Sequence, residues 1–263
     1  METLKKGSKG EDVKKLQSAL ADRGFSPGII DGDFGNATLA ALIAFQKSSR
    51  LLADGIAGPK TLFALGLVEN DTPYDFLSKF SAAKVCQMFP HTPGANIKKN
   101  LPFVLEGLRF YSLTDKTMGL MALATIRAET ESFKPVSEMI SRWNTSPSGH
   151  PFDLYDNRAD LGNGGAPDGE LYKGRGFIQL TGKANYEKYG KIIAVDLIKN
   201  PEAANEPETA AKLLALFLKD KERKIKEALL DKNYKQARKL VNGGSHGLAN
   251  FTDAYKIGDN LIA

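Results

Sequence analysis

Hydrophobic residues recur at helical spacing along most of the chain. Near the N-terminus, Val13, Leu16 and Leu20 fall on one face of a predicted helix, which Gly24 ends. Two shorter helical segments follow, with the sequences TLAALIAFQK and TLFALGL. The pattern predicts a small unit of three helices over residues 1–67.

The rest of the chain shows a second, longer series of helical patterns, so the fold is predicted to be mainly α. Residues 68–78 are polar and contain a proline, which is typical of a linker, and this leaves 79–263 as a second domain. Within it, HTPGANIKKN is predicted as a loop, and a helix is expected from Leu101 to Phe110.

The first domain contains an internal repeat. DGDFGNAT at 31–38 and DGIAGPKT at 54–61 share the pattern DGxxGxxT, and each precedes a helical segment. Asp-Gly favours a tight turn, and a threonine suits the start of a helix. The repeat therefore predicts two matching turns beside each other.

With the adjoining LQxxL and AFQK stretches, this doubled turn resembles the three-helix peptidoglycan-binding domain of bacterial and phage cell-wall hydrolases. The resemblance covers residues 4–67. It implies a groove between the turns that binds wall peptide or glycan, and the alternative is a helical bundle without a ligand. The positions expected to contact the wall are Asp31, Gly32, Phe34 and Gln46.

A dense apolar helix, capped by Thr114 or Asp115, carries Glu129 on its last turns. A carboxylate on a buried helix is unfavourable unless it is paired or protonated, and such surroundings suit a general acid. The alternative is a glutamate that is satisfied by Arg127, by Arg175 or by a backbone amide.

A second acid, Glu138, follows shortly afterwards. Pro135 is expected to interrupt the helix, so Glu138 can turn back to face Glu129 across a cleft. Inverting glycosidases need two carboxyl groups about 6.5–9.5 Å apart, which leaves room for a water. The sequence permits this spacing.

The polar loop at 143–173 is too long to be a simple connection. Its aromatic residues Trp143 and Tyr172 suit stacking on sugar rings, although core packing is the alternative for Trp143. GRGFIQLTG follows at 174–182, where Arg175 could pair with a catalytic glutamate and Thr181 could hold a water.

Four strings in this domain resemble glycoside hydrolase family 19, the chitinase-like enzymes that include many phage endolysins. The strings are RAETES at 127–132, DLYDNRADLGN at 153–163, YKGRGFIQLTGKANY at 172–186 and VNGGSHGL at 241–248. The resemblance covers roughly residues 80–260 and implies a lysozyme-like, largely helical catalytic domain. Ala128 stands where the family usually has histidine.

The resemblance implies a role for each matching residue. Glu129 corresponds to the general acid, Glu138 to the general base of the endolysin branch, and Thr181 to the hydroxyl that positions the water. In plant-type members the second acid comes later in the chain. The expected substrate contacts, including the arginine near the acids, are Arg175, Gln179, Asn185, Tyr186 and Asn242, with Trp143 and Tyr172 as the aromatic partners.

Composition narrows the possible partners and cofactors. The net charge of +5 favours polyanionic surfaces, and with the wall resemblance it points to peptidoglycan rather than nucleic acid. Cys86 has no second cysteine with which to form a disulfide. The histidines lack ligand spacing, so neither a metal nor a cofactor is expected, and this disfavours a zinc amidase.

No apolar run reaches about 18 residues, and the N-terminus lacks the apolar core of a signal peptide. We expect a monomer that does not insert stably into membranes, is made in the cytoplasm, and reaches the wall by holin-mediated or other release. The predicted activity is inverting hydrolysis of β-1,4 bonds between amino sugars of peptidoglycan. The alternatives are a chitinase, a lytic transglycosylase that needs only Glu129, and a non-catalytic wall-binding protein.

Overall fold

A computed structural model describes residues 1–49, 51–69, 75–244 and 246–262. The chain divides into two compact units, one made of Met1–Asp75 with Lys226–Lys232 and the other of Phe76–Ile225 with Asn233–Ala263. In the described ranges the regular structure is helical, and β-structure is limited to isolated bridges. The prediction of a mainly α protein is confirmed. Part of the predicted linker, residues 70–74, lies outside the described residues.

The first unit is built on α1 (Glu11–Asp22), α2 (Asn36–Ser48) and α3 (Pro59–Ala64). The helices meet around a core of apolar side chains that are almost completely buried. This core includes Val13, Leu16, Leu20, Leu42, Phe45 and Leu62. The predicted face of α1 is therefore the face that packs.

A buried glutamine holds the first Asp-Gly turn. The side-chain oxygen of Gln17 accepts a hydrogen bond from the Gly32 amide at 2.9 Å. Its side-chain nitrogen lies 3.0 Å from Asp31 Oδ1 and 3.1 Å from Thr38 Oγ1. The turn is thus tied to α1 and to the start of α2 by one side chain.

Gln46 does the same for the second turn. Its oxygen accepts from the Gly55 amide at 2.9 Å, while its nitrogen donates to Asp54 Oδ1 at 2.9 Å and contacts Thr61 Oγ1 at 3.3 Å. Gln46 is completely buried, and so is nearly all of Phe34. The expectation that these two side chains contact the wall is wrong, because they form the interior of the unit.

Asp31 and Gly32 lie on the first turn. Asp31 is exposed, and Gly32 is buried with a φ of 80°, a left-handed conformation that favours glycine. The Asp33 amide donates to the Asp31 carboxylate, and this bond, with that from Gln17, lowers the pKa of Asp31. Both residues shape the turn, and their contact with the wall stays a prediction.

The second unit is a larger helical assembly. A 3-10 turn, Phe76–Lys79, opens it, and two more occur at Ala159–Leu161 and Pro201–Asn205. Of the helix Glu222–Leu230, residues 222–225 belong to this unit and residues 226–230 to the first. The helices are α4 (Ala82–Met88), α5 (Gly94–Phe110), α6 (Lys116–Glu129), α7 (Asp153–Asp156), α8 (Asp168–Leu171), α9 (Lys183–Ile193), α10 (Pro207–Lys219), α11 (Glu222–Leu230), α12 (Tyr234–Asn242) and α13 (Leu248–Leu261).

The central helix of this unit is α6. Asp115 caps it by accepting a hydrogen bond from the Met118 amide at 3.0 Å, which selects Asp115 from the two predicted caps. Every residue from Met118 to Arg127 is buried, with α13 and α10 among the helices packed around it. Glu129 therefore lies at the end of a helix whose preceding turns are buried in the unit.

Helix α5 differs from its prediction. It begins at Gly94 and continues through Pro102, so the loop predicted over residues 91–100 is wrong beyond its first residues. Ile97 and Leu101 face the core, and the Asn100 side chain donates to the Phe133 carbonyl at 2.9 Å. These tertiary contacts offset the backbone hydrogen bond that the proline cannot make.

Helices α5 and α10 approach each other closely at Gly107. A methyl group on Gly107 would lie 2.8 Å from the carbonyl oxygen of Ala211, which is shorter than a van der Waals contact. The absence of a side chain here lets the two helices touch backbone to backbone.

Among the described residues, no helix combines the length and the apolar character needed to cross a bilayer.

Candidate functional site

Glu129 lies at the C-terminal end of α6, with 13% of its side chain exposed. Nη1 of Arg238, from α12, lies 2.8 Å from Glu129 Oε1, and the Arg238 side chain is completely buried. The Nε of Arg238 donates to the His246 carbonyl at 2.9 Å. Glu129 is therefore paired, but by an arginine that the sequence did not single out.

Neither of the two predicted arginine partners contacts Glu129. Arg127 forms an ion pair with Asp253 at 2.7 Å and donates to the Met88 carbonyl. Arg175 contacts other residues, as described below. The alternative that one of these two arginines satisfies Glu129 is wrong, because both are engaged elsewhere.

The contact between Glu129 and Arg238 is close but imperfectly directed. Although the two atoms are 2.8 Å apart, neither terminal nitrogen of Arg238 has a well-aligned hydrogen bond within the described ranges. The contact is therefore a charge pair and not a bidentate salt bridge. Burying a guanidinium is costly, and the nearby carboxylate supplies its counter-charge.

The chain leaves the helix immediately after Glu129, earlier than Pro135, where the interruption was predicted. Phe133, which is completely buried, anchors the connection with its ring 4.9 Å from Phe89 and 6.2 Å from Phe177. The Asn96 side chain also holds this segment by donating to the Ser132 carbonyl at 2.9 Å. The interruption of the helix before Glu138 is confirmed, and the separation of the two carboxyl groups stays a prediction.

Glu138 is held in place on several sides. Its amide donates to the Gly174 carbonyl at 2.7 Å. Oε1 accepts from the side-chain nitrogen of Asn144 and from the hydroxyl of Tyr155, both at 2.9 Å. Oε2 accepts from the Gly174 amide at 3.2 Å. Three neutral donors therefore fix the orientation of this carboxylate.

The GRGFIQLTG segment forms a tight turn around the bridge between Arg175 and Leu180. Phe177 and Leu180 are buried in the core. Gln179 occupies a left-handed conformation with a φ of 51°, and its side chain donates to the Val136 carbonyl at 2.9 Å. The turn is thus attached to the residues that lead into Glu138.

The turn approaches Glu138 closely at Gly174. A methyl group on Gly174 would lie 3.1 Å from Glu138 Oε2 and 2.9 Å from Gln179 Oε1. Glu138 and Gln179 therefore lie around one point of the backbone. Thr181 follows, partly buried, and its hydroxyl donates to the Gln179 carbonyl at 2.9 Å.

Arg175 supports the turn from the interior and does not contact either candidate acid. It is buried, and its Nε donates to Glu202 Oε1 at 3.0 Å, while Nη1 donates to the Tyr186 hydroxyl at 3.0 Å and to the Leu171 carbonyl at 2.7 Å. The hydrogen bond from Arg175 lowers the pKa of Glu202. The expected pairing of Arg175 with a catalytic glutamate is wrong, because its carboxylate partner is Glu202.

Two of the predicted aromatic contacts are also interior residues. Tyr186 is completely buried, and burial raises its pKa to about 12. Tyr172 is nearly as buried and packs edge-on against Tyr186 at 5.4 Å. Direct stacking of either ring on a substrate is not compatible with this packing.

Trp143 is the opposite case. Its side chain is 73% exposed, and the Arg142 guanidinium lies 4.7 Å from the ring centre. Met139 and Ile140, on the same loop, are 83% and 61% exposed. Core packing, the alternative for Trp143, is wrong, and the loop after Glu138 presents apolar side chains to solvent.

Asn185 and Asn242, the remaining predicted contacts, are both partly buried. The side chain of Asn185 donates to the Thr181 carbonyl at 2.7 Å, and that of Asn242 to the His246 carbonyl at 3.2 Å. Asn185 therefore braces the backbone at Thr181, and Asn242 shares the His246 carbonyl with Arg238.

The sequence did not single out Asn144, Tyr155 or Arg238 for the contacts that they make. Tyr155 lies in the DLYDNRADLGN string, which is a usable signal, and Asn144 is next to the single tryptophan. No local sequence pattern marked Arg238 as a partner of Glu129.

Among the described residues, no three histidine, cysteine or acidic side chains converge in a way that could hold a metal ion.

Comparison with known proteins covers both parts of the chain. Residues 9–65 match the family described as "Putative peptidoglycan binding domain". The N-acetylmuramoyl-L-alanine amidase CwlM of Mycobacterium tuberculosis is 50% identical over 56 residues, which are 21% of this chain and 14% of that protein. A "Glycosyl hydrolase family 19 domain-containing protein" of Haemophilus influenzae is 33% identical over 97 residues, 36% of this chain and 44% of that protein.

Chitinase C of Streptomyces griseus is similar in structure at 19% identity, covering 70% of this chain and 76% of its own, with a TM-score of 0.47. A similarity with a TM-score below 0.5 does not by itself assign a fold or a function to this chain. The chain spans well under two thirds of the two curated relatives, 14% and 44% of their lengths. The predicted resemblance to peptidoglycan-binding domains and to family 19 glycoside hydrolases is confirmed.

Proposed function

We propose that this protein is a peptidoglycan hydrolase that binds the wall through its first unit and cleaves the glycan with its second. The observation that carries the proposal is the presence of two ordered carboxyl groups on one stretch of chain, Glu129 beside Arg238 at the end of α6 and Glu138 held by neutral donors. Inverting glycosidases use two carboxyl groups, one as general acid and one as general base. The names of the two relatives, an N-acetylmuramoyl-L-alanine amidase and a family 19 glycosyl hydrolase domain protein, support a hydrolase that acts on the wall.

In this proposal Glu129 protonates the glycosidic oxygen while the bond from that oxygen to the anomeric carbon breaks. Glu138 takes a proton from a water that attacks the same carbon from the opposite face, and Thr181 positions that water. The product is a sugar with inverted configuration. Arg238 stabilises the Glu129 carboxylate that remains after the proton has left.

The contacts with the glycan follow from exposure. Trp143, with Arg142 against one face of its ring, offers an amphipathic surface next to Glu138. Gln179, Asn185 and Asn242 are the polar candidates. We assign Arg175, Tyr172 and Tyr186 to the support of the turn and not to substrate contact, since they are buried.

The proposed partner of the first unit is peptidoglycan itself. The match of residues 9–65 supports this, and the net charge of +5 over the whole chain favours an acidic wall. Close to Asp31 in sequence, Ile29 and Ile30 are 80% and 46% exposed, which provides apolar surface for a ligand. We propose that the protein acts as a monomer without a cofactor, at the wall, after holin-mediated or other release.

The test is mass spectrometry of purified peptidoglycan digested by wild type, Glu129→Gln and Glu138→Gln. Removal of a general acid or base is expected to slow cleavage by about 10²- to 10⁴-fold while wall binding is retained. Glu131→Gln is the matched control, because Glu131 is an exposed glutamate two positions after Glu129, and it should keep full activity. Wild-type products should carry reducing ends, with the inverted anomer formed first.

Other outcomes would assign the alternatives. Products with 1,6-anhydro ends that still form with Glu138→Gln would indicate a lytic transglycosylase. Equal cleavage of soluble chitin oligomers would indicate a chitinase. Wall binding without cleavage by the wild type would indicate a non-catalytic protein, and loss of activity on treatment with EDTA would contradict metal-free hydrolysis.

A further inference from the structure

The two oxygens of Glu138 have unequal surroundings. Oε1 accepts two hydrogen bonds of 2.9 Å, from Asn144 and from Tyr155. Oε2 accepts one longer bond, from the Gly174 amide at 3.2 Å. A carboxylate oxygen with two short bonds has its lone pairs engaged, so the other oxygen is the better placed to receive a proton.

Asn144 cannot readily turn away from this arrangement. It is completely buried, and its oxygen accepts from the Ser141 amide at 2.8 Å and from the Thr145 hydroxyl at 2.9 Å. Its nitrogen also donates to the Met139 carbonyl at 2.9 Å. A flipped amide would place oxygen against oxygen at Glu138 and Met139, so these contacts assign the nitrogen to Glu138.

Tyr155 is fixed from the other side. Asn163 donates to its carbonyl at 2.8 Å and accepts from the Lys183 amide at 2.9 Å, which ties α7 to the start of α9. Burial, followed by the charge of Glu138, raises the pKa of Tyr155 to about 12. The hydroxyl therefore keeps its proton, and its role as a donor, across the range in which enzymes work.

We propose that Asn144 and Tyr155 are positioning residues that occupy Oε1 of Glu138 and thereby make Oε2 the oxygen that takes the proton from the attacking water. This rests on the proposed function, in which Glu138 is the general base. Neither residue touches the reacting atoms. Both act by fixing the rotation of the carboxylate and by stabilising its charge.

The test is steady-state kinetics of the full chain with Tyr155→Phe, which removes one hydroxyl and keeps the ring. Loss of a hydrogen bond to a charged group is expected to lower kcat by roughly 10- to 100-fold. KM should stay within about twofold, since substrate binding does not use this hydroxyl. The acid limb of the pH–rate profile should move to higher pH, because one fewer donor stabilises the carboxylate.

Tyr189→Phe is the matched control. The Tyr189 hydroxyl also donates to a carboxylate, Asp220 at 3.2 Å, and its ring is buried, whereas that of Tyr155 is partly buried. Both variants should lose similar thermal stability, but Tyr189→Phe should keep the wild-type kcat and pH profile. If both variants behave alike in kinetics, or if Tyr155→Phe keeps the wild-type profile, the positioning role is overturned.

A double variant separates this inference from the proposed function. If Tyr155 acts through Glu138, adding Tyr155→Phe to Glu138→Gln should cause no further loss of kcat. A further loss equal to that in the wild-type background would refute the inference. Full activity of Glu138→Gln would instead refute the general-base role itself, whatever Tyr155→Phe does.

Discussion

Replacing Arg238 by methionine would leave the Glu129 carboxylate without the guanidinium that lies 2.8 Å from it. Removing one partner of a buried ion pair typically costs about 3–5 kcal/mol. Because Glu129 keeps 13% of its side chain exposed, water can replace part of the interaction, and we expect about 3 kcal/mol. For a unit of this size, that cost lowers the Tm by about 6–12 °C.

The assay is calorimetric unfolding of four proteins: wild type, Arg238→Met, Glu129→Gln and the double variant. The double variant should be more stable than the sum of the two single effects predicts, by at least about 1 kcal/mol, since it no longer contains an unpaired buried charge. Glu187→Gln is the control, because Glu187 pairs with Lys191 and both side chains are more than half exposed, so its loss should leave the stability nearly unchanged. Additivity within about 0.5 kcal/mol would refute the pairing as a source of stability.

Three further predictions concern stability. Gly107→Ala should destabilise the second unit by about 1–3 kcal/mol in urea unfolding, because its methyl group would meet the Ala211 carbonyl at 2.8 Å. Gln46→Ala should destabilise the first unit by roughly 1–3 kcal/mol, because it leaves a buried turn amide without its acceptor, and thermal unfolding measures this. Glu202 has a lowered pKa, so its stabilisation is complete above its unfolded pKa of about 4.3 and is lost as the pH falls through the lower folded value. Glu202→Gln should therefore flatten the acid limb of stability, and equal acid sensitivity of the two proteins would contradict this.

Local patterns predicted much of the fold. The face of α1, the Asp115 cap of α6 and the doubled turn depend on residues close in sequence, and these are where the predictions agree with the structure. The start of α5 was missed because it depends on contacts between residues that are far apart in the sequence. Pro102 is a strong local signal, but long-range contacts such as that from Asn100 to Phe133 override it.

The candidate site shows the same division. Motifs predicted Glu129, Glu138 and Thr181 as candidates, but they did not predict the partners of the two acids. Arg238 reaches Glu129 from α12, far along the chain, and no local pattern marks it. Arg175 was recognised as important, but the motif does not state which carboxylate it pairs with, and that partner is Glu202.

The two buried glutamines of the first unit also make its motions measurable. The amides of Gly32 and Gly55 lie in turns, where exchange with deuterium from the solvent is usually fast, yet each is bonded to a glutamine oxygen inside the unit. Neither amide can exchange until the helix that carries its glutamine moves away. Equal, slow exchange at both positions would show that the two halves of the repeat open together, and unequal exchange would identify the half that opens first.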